Sequence, residues 1–162
     1  LRLTTEHLEL REFDLSDIKD AAAYLSDPQV MEFVEPPFDY DKTKEFILTH
    51  GMAAEPHVYA LAERPTGNLV GHVIFHRFES DRVFELGWVL RKEYWGRGSA
   101  LEISRELISY GFRVLGLEKI VVETVANNLN AKKIIEKLGM VRELNSEGDL
   151  EVWSLSRPDS GC

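Results

Sequence analysis

The amino-acid sequence predicts a mixed α/β fold, with a mostly antiparallel central sheet, one parallel strand–helix–strand crossover and flanking helices. Three observations predict it. Residues 57–90 hold three strand-length runs separated by turn residues. Directly after them, apolar residues at 100, 103, 107, 108, 112 and 115 fall at helical spacing. The next run, Lys119 to Val125, is rich in valine and reads as a buried strand, so a helix there joins two strands running the same way.

The elements follow in chain order. Leu8-Glu9-Leu10-Arg11 reads as a short strand. Asp14 or Ser16 is placed to cap a helix through Ile18, Ala21, Ala22 and Leu25, which Asp27-Pro28 ends. Met31 to Val34 suggests a helical turn before Pro36-Pro37, and a helix from Tyr40 or Asp41 runs through Phe46, Ile47 and Met52. His57 to Glu63, Leu69 to Phe78 and Arg82 to Leu90 form an antiparallel meander, its first turn made by Pro65-Thr66-Gly67-Asn68. The helix from about Gly98 to Leu115 stops at Gly116, and a second one from Asn130 to Leu138 stops at Gly139. Val141 to Leu144 and Asp149 to Leu155 close the chain as a hairpin around Ser146-Glu147-Gly148.

Bulk properties narrow the function. A length of 162 residues suits one domain, expected over residues 1–162. No apolar run approaches the roughly 18 residues that span a bilayer, and no secretory signal pattern opens the chain. The one cysteine, Cys162, rules out an internal disulfide and fits a reducing cytoplasm. A formal net charge of -9 argues against direct nucleic-acid binding, which relies on phosphate neutralisation, and favours cationic partners such as amines. His72 and His76 share one face of a strand without a metal-ligand pattern, so they read as sheet-surface residues and no metal is expected.

The segment Tyr94-Trp95-Gly96-Arg97-Gly98-Ser99-Ala100 lies between a strand and a helix. Helix N-termini carry unpaired N–H groups and partial positive charge. Gly96 and Gly98 let the backbone approach a phosphate closely, Arg97 lies between them, and Ser99 adds a hydroxyl. No Gly-Lys-Ser/Thr follows, so this is not a Walker P-loop. A third glycine at dinucleotide spacing is missing as well.

Glu85-Leu86-Gly87-Trp88-Val89-Leu90 through Glu93-Tyr94-Trp95-Gly96-Arg97-Gly98-Ser99-Ala100 resembles the acetyl-CoA motif of the GNAT N-acetyltransferase superfamily. The resemblance is closest to the ribosomal-protein N-terminal acetyltransferases of Rim type. Leu8 to Arg11, Asp27 to Met31 and Asn128 to Met140 match in the expected order, so it covers nearly the whole chain. It implies the GNAT fold and an acetyl-CoA-dependent N-acetyltransferase acting on an amine, which includes a protein N-terminal α-amine. It also implies that Trp88, Val89 and Leu90 offer backbone groups to pantetheine as if to an added strand. Trp95 and the amides of Gly96, Arg97, Gly98, Ser99 and Ala100 are then the pyrophosphate site. Asn128 bonds the pantetheine arm, and Lys132 or Lys133 approaches the phosphates. Met31 to Phe38 forms an acceptor wall that is apolar through Phe33, Pro36, Pro37 and Phe38. The family includes monomers and homodimers.

The chain departs from the family at three positions. Glu93 stands where Gln or Arg is frequent, Ile135 where many members place a tyrosine acid, and Ala131 where Rim-type members often have serine. The expected base is Glu85, which shares a strand face with Val83, Gly87 and Val89 and is also positioned to hold a cationic amine. Glu123 is the second choice. A small-molecule amine acetyltransferase and a non-catalytic acetyl-CoA-binding or sensing protein remain as alternatives.

Overall fold

The computed structural model describes residues 1–144 and 148–159. Ser146 and Glu147 of the expected turn, and Cys162, lie outside those residues. The strands are β1 (Leu3–Thr4), β2 (Leu8–Arg11), β3 (Val58–Glu63), β4 (Leu69–Phe78), β5 (Ser80–Leu90), β6 (Lys119–Val125), β7 (Val141–Arg142) and β8 (Leu150–Ser156). They form one sheet in the spatial order β1-β2-β3-β4-β5-β6-β8-β7. Every neighbouring pair is antiparallel except β5 and β6, the two strands joined by the crossover helix. The helices are α1 (Ile18–Leu25), α2 (Tyr40–Phe46), α3 (Ser99–Arg113) and α4 (Leu129–Lys137). Among the described residues, no helix is long and apolar enough to cross a membrane.

The expected mixed α/β fold is observed, with differences at element ends. Asp14 does cap the first helical segment, accepting from the Ser16 N–H at 2.8 Å. The second helix starts at Tyr40 as expected, and Asp39 caps it, accepting from the Lys42 N–H at 2.8 Å. It does not continue as an α-helix to Met52. Ile47–Gly51 forms a π-helical turn instead, with Gly51 pressed so close to Phe13 that a Cβ would lie 2.8 Å from its ring. The two-residue strand β1 and the 3-10 turn Lys92–Tyr94 are too short to show a period in the sequence.

Two hydrophobic layers cover the two faces of the sheet. On one, Ile103 and Leu107 of α3 and Ile135 of α4 pack on Leu61, Val73, Phe75 and Leu86. Burying a side chain of that size contributes about 1.5–3 kcal/mol. On the other, Ala21 and Leu25 of α1 with Ile47 pack on Val58, Ala60, Leu69 and Val89. Alternation along β5 therefore sends Phe84, Leu86, Trp88 and Leu90 towards α3 and α4, and Glu85 to the face of α1 and α2.

His72 corrects the expectation of a sheet-surface histidine. It is 3% exposed, and its Nδ1 lies 2.7 Å from the Tyr24 hydroxyl, tying β4 to α1. Burial pushes its pKa down to about 3, so it is neutral in the folded chain. Only the unfolded chain takes that proton near pH 6.5, so stability falls as the pH drops below that value.

The sheet is interrupted at its parallel pair. β5 and β6 share only the pairs Val83↔Lys119, Phe84↔Ile120 and Glu85↔Val121. Beyond them β5 stays bound to β4 as far as Gly71↔Leu90, and β6 stays bound to β8 as far as Val125↔Leu150. Residues 86–90 and 122–125 therefore diverge, and a gap opens between them. Gly71 sets one wall of it, because a Cβ there would lie 2.1 Å from the Val89 carbonyl oxygen. Gly71→Ala is expected to push β5 off β4 and to cost about 1–3 kcal/mol, read as a lowered urea midpoint.

Candidate active site

A cleft of about 540 Å³ occupies the gap. Its walls include Trp88, Val89 and Leu90 of β5, Trp95, Gly96, Gly98 and Ala100 of the turn, and Asn128 with Ala131 at the start of α4. The Arg91 N–H donates to the Val70 carbonyl at 2.8 Å. Antiparallel alternation from that bond turns the backbone of Val89 towards β4, and the backbone of Trp88 and Leu90 towards the gap. One Leu90 carbonyl lone pair is already used, since the Trp95 indole N–H donates to it at 3.0 Å. That bond fixes the entrance of the turn.

The turn has the backbone form that the glycines suggest. Gly96 and Gly98 hold φ of 75° and 79°, in the left-handed region, with no other atom within 4 Å of where a Cβ would stand. Gly98 is the N-cap of α3 and no side chain caps that helix. The Glu102 N–H is the first to reach back into the helix, to the Gly98 carbonyl at 2.9 Å. The N–H groups of Ser99, Ala100 and Leu101 precede it, and they form an anion-binding end of the kind long helices present. Arg97 lies over the Tyr94 ring at 5.0 Å, beside the turn rather than in the cleft wall. Glu93 is paired with Arg91 at 3.4 Å, so the acid is held by a neighbouring cation.

The opposite wall comes from α4. Asn128 caps that helix, its Oδ1 accepting from the Ala131 N–H at 3.2 Å, so a ligand contact from this side chain falls to the amide nitrogen. Lys132 does not reach the cleft, because its ammonium lies by the Ala126 carbonyl at 3.4 Å and Glu151 at 3.5 Å. Lys133 lines the cleft, and so does Lys137, which the sequence reading missed. Its signal was the helical series Asn130, Lys133, Ile134, Lys137, all four of which face the cleft. Ile135 points the other way and is fully buried in the core.

Glu85 sits at the vertex of the gap, in the last register pair before the strands part. Its Oε2 lies 3.1 Å from His76 Nε2 across the β4–β5 ladder. Glu123 stands on the same sheet face, and its pKa is raised first by burial and then by the Glu85 carboxylate. The vertex therefore carries excess negative charge, which suits an ammonium group.

A second cavity, of about 650 Å³, adjoins the cleft and shares Glu32, Phe33 and Val34 with it. Phe33, Pro36 and Pro37 line it as expected. Phe38 does not. It is 4% exposed and packed against Phe46, with ring centroids 5.7 Å apart, because its N–H is bound to the Leu25 carbonyl at 2.8 Å and draws the chain into the core. The cavity also holds Glu32, Glu35 and Asp149, and no basic side chain lines it among the described residues. The acids were legible only as the flanks of Phe33 in the sequence, and Asp149 arrives from the far hairpin.

Known proteins resemble this chain in sequence and in fold. The family described as acetyltransferase (GNAT) domain matches residues 7–141. YnaD of Bacillus subtilis, an uncharacterised N-acetyltransferase, is 30% identical over 145 residues, covering 88% of this chain and 84% of its own length. Among solved structures, a GNAT-family acetyltransferase from Bacillus anthracis superposes with a TM-score of 0.88 at 24% identity, covering 97% of this chain and 99% of the other. Spermidine N-acetyltransferase from Vibrio cholerae, in complex with CoA and spermine, superposes with a TM-score of 0.79 at 22% identity, covering 94% of this chain and 97% of the other. The chain belongs to the GNAT family of N-acetyltransferases.

Proposed function

We propose that this acyltransferase moves the acetyl group of acetyl-CoA to a weakly basic primary amine such as a protein N-terminal α-amine, as in the Rim-type branch it resembles. The observation that carries the reading is the layout of the gap. A helix N-terminus with free N–H groups lies at its open end, a free strand edge runs along it, and Glu85 stands in the last register pair where the strands part. Acetyl-CoA has the complementary layout, with a pyrophosphate, a polar pantetheine arm and an acetyl end. In this reading the amides of Gly96 to Leu101 hold the pyrophosphate, with Ser99, Arg97, Lys133 and Lys137 near it. Trp88 and Leu90 pair with pantetheine as a strand would, and Asn128 donates to it from the other side.

The acceptor enters from the acidic cavity as an ammonium ion. Glu85 removes one proton, the neutral amine attacks the acetyl carbonyl, the new C–N bond forms and the C–S bond breaks. Ala131 and Ile135 offer no hydroxyl for the leaving sulfur. The thiolate therefore takes its proton from the attacking nitrogen, which must lose one to become an amide.

The modest acid–base equipment favours weakly basic amines. An α-amino group with a pKa of about 7.7–8.0 is roughly 10–15% neutral at pH 7, whereas a lysine is about 0.04% neutral, a handicap on the order of 3 kcal/mol. A second reading, a small polycationic amine as acceptor, is favoured by Glu32, Glu35 and Asp149 and by the spermine in the Vibrio cholerae neighbour.

Three measurements test these readings. Gly98→Glu puts a negative charge on the phosphate path, where like charges cost several kcal/mol. Calorimetry should then show acetyl-CoA affinity down by more than about tenfold, and unchanged affinity removes the turn from the site. Glu85→Gln should lower kcat by about 10²–10³ while leaving acetyl-CoA affinity intact. Thiol release across an amine panel should favour peptides with free N-termini over the same peptides blocked there. Turnover confined to polyamines selects the second reading, and acetyl-CoA binding without turnover on any amine selects a sensing role.

A further inference from the structure

We infer that His76 takes the acceptor's proton from Glu85 and delivers it to water in a separate cavity, at the opposite end of the strands from the cofactor cleft. The inference rests on Glu85 being the base. A cavity of about 350 Å³ lies beside the start of β3, the end of β4 and the first half of β5, and both His76 and His57 line it. His76 thus touches two places at once. Its Nε2 meets Glu85 at 3.1 Å, and its ring forms part of the wall of the far cavity.

The hydrogen bonds of His76 fix how it works. Its Nδ1 lies 2.8 Å from the Arg77 carbonyl oxygen, which can only accept, so Nδ1 carries a hydrogen. Neutral His76 therefore presents the lone pair of Nε2 to Glu85. In the forward step, an ammonium proton passes to a Glu85 oxygen as the N–H bond breaks and an O–H bond forms. That proton then moves to Nε2, which restores the carboxylate and leaves an imidazolium. The imidazolium releases it to water in the far cavity, so no net proton remains on the pair. The exit does not use the cofactor cleft, which is filled during catalysis.

The surroundings bias His76 towards holding the proton briefly. The hydrogen bond to Glu85 raises its pKa, with the Arg77 carbonyl and Glu123 acting the same way and burial opposing them. His57, with its ring centroid 4.8 Å from that of His76, has its pKa lowered first by burial and then by His76 and His50. His50 stacks on His57 at 5.6 Å and continues the row. Arg77 is neutralised by Asp81 at 3.1 Å and Glu55 at 3.7 Å, so it does not repel a proton on His76.

The sign of the pH dependence follows. Below the raised pKa, His76 is already an imidazolium bonded to Glu85, so the carboxylate is a weaker base and has no neutral imidazole to pass its proton to. Above it the pair is ready. For the wild-type chain, kcat should therefore rise with pH through an ionisation above about 6.5. The test uses two variants of the intact chain. His76→Asn can still donate to the Arg77 carbonyl, and His76→Gln can still bond Glu85, but neither amide takes up a proton.

Both should lower kcat by about tenfold, a part of the roughly 10²–10⁴ available to general base catalysis. Both should leave acetyl-CoA affinity unchanged, lose the ionisation from the kcat–pH profile and recover activity with added imidazole. Wild-type kcat and pH profile in either variant, while Glu85→Gln is impaired, overturns the relay alone. An unimpaired Glu85→Gln overturns the base reading and the relay with it. Should the His76 variants melt early, the wild-type kcat–pH profile alone reads the relay, and a profile with no rise through an ionisation above about 6.5 overturns it.

Discussion

The divergence of β5 from β6 is the constraint on which the rest of the molecule depends. Parallel neighbours joined by a helix usually pair along their length. Here each strand has a stronger claim elsewhere, β5 on β4 through residue 90 and β6 on β8 through residue 125. Three register pairs hold the two halves of the sheet together, and beyond Glu85 the halves part. The vertex places a carboxylate at a closed end, and the crossover helix begins at the open end. The distance between the two is set by the length of β5, so the site measures its ligand along a strand.

The two faces of the sheet divide the work. α3 and α4 pack on one face and supply the helix end and the lysines of the cleft. α1, α2 and the loop between them cover the other, and that loop carries Glu32, Phe33 and Glu35 into the second cavity. Glu85 belongs to the second face by alternation alone. A one-residue slip of β5 would bury it among α3 and α4 and expose Leu86 or Phe84 in its place. The register that Gly71 permits, by letting Val89 approach β4, therefore also decides which side chain stands at the vertex.

Much of this was legible from residue order. The period change at residue 98, the glycines at 96 and 98 and the valine-rich run after Gly116 predict the crossover and its turn. What was hidden is three-dimensional. Nothing local marks Phe38 as core and Phe33 as cavity wall, since both are apolar residues in one proline-rich loop and only the Leu25 carbonyl separates them. His72 and His76 are four residues apart on one face, yet one meets a tyrosine from α1 and the other a carboxylate from β5. Burial lowers the pKa of the first and the hydrogen bond to Glu85 raises that of the second, and strand periodicity names neither environment.

The gap has a consequence for the chain before any ligand arrives. Backbone N–H and C=O groups at Trp88 and Leu90 form a short sheet edge in the middle of the protein, and an unpaired edge is a template for a strand from another molecule. Two features guard it. The edge lies between walls that contribute Lys133, Lys137 and Glu32, so an incoming segment would have to bring its own charges into register. Only five residues of β5, Leu86 to Leu90, follow Glu85, too few for a long ladder. A ligand arm seated there would act as a guard for the edge, and ligand supply would then bear on how well the folded chain stays apart from its copies as much as on turnover.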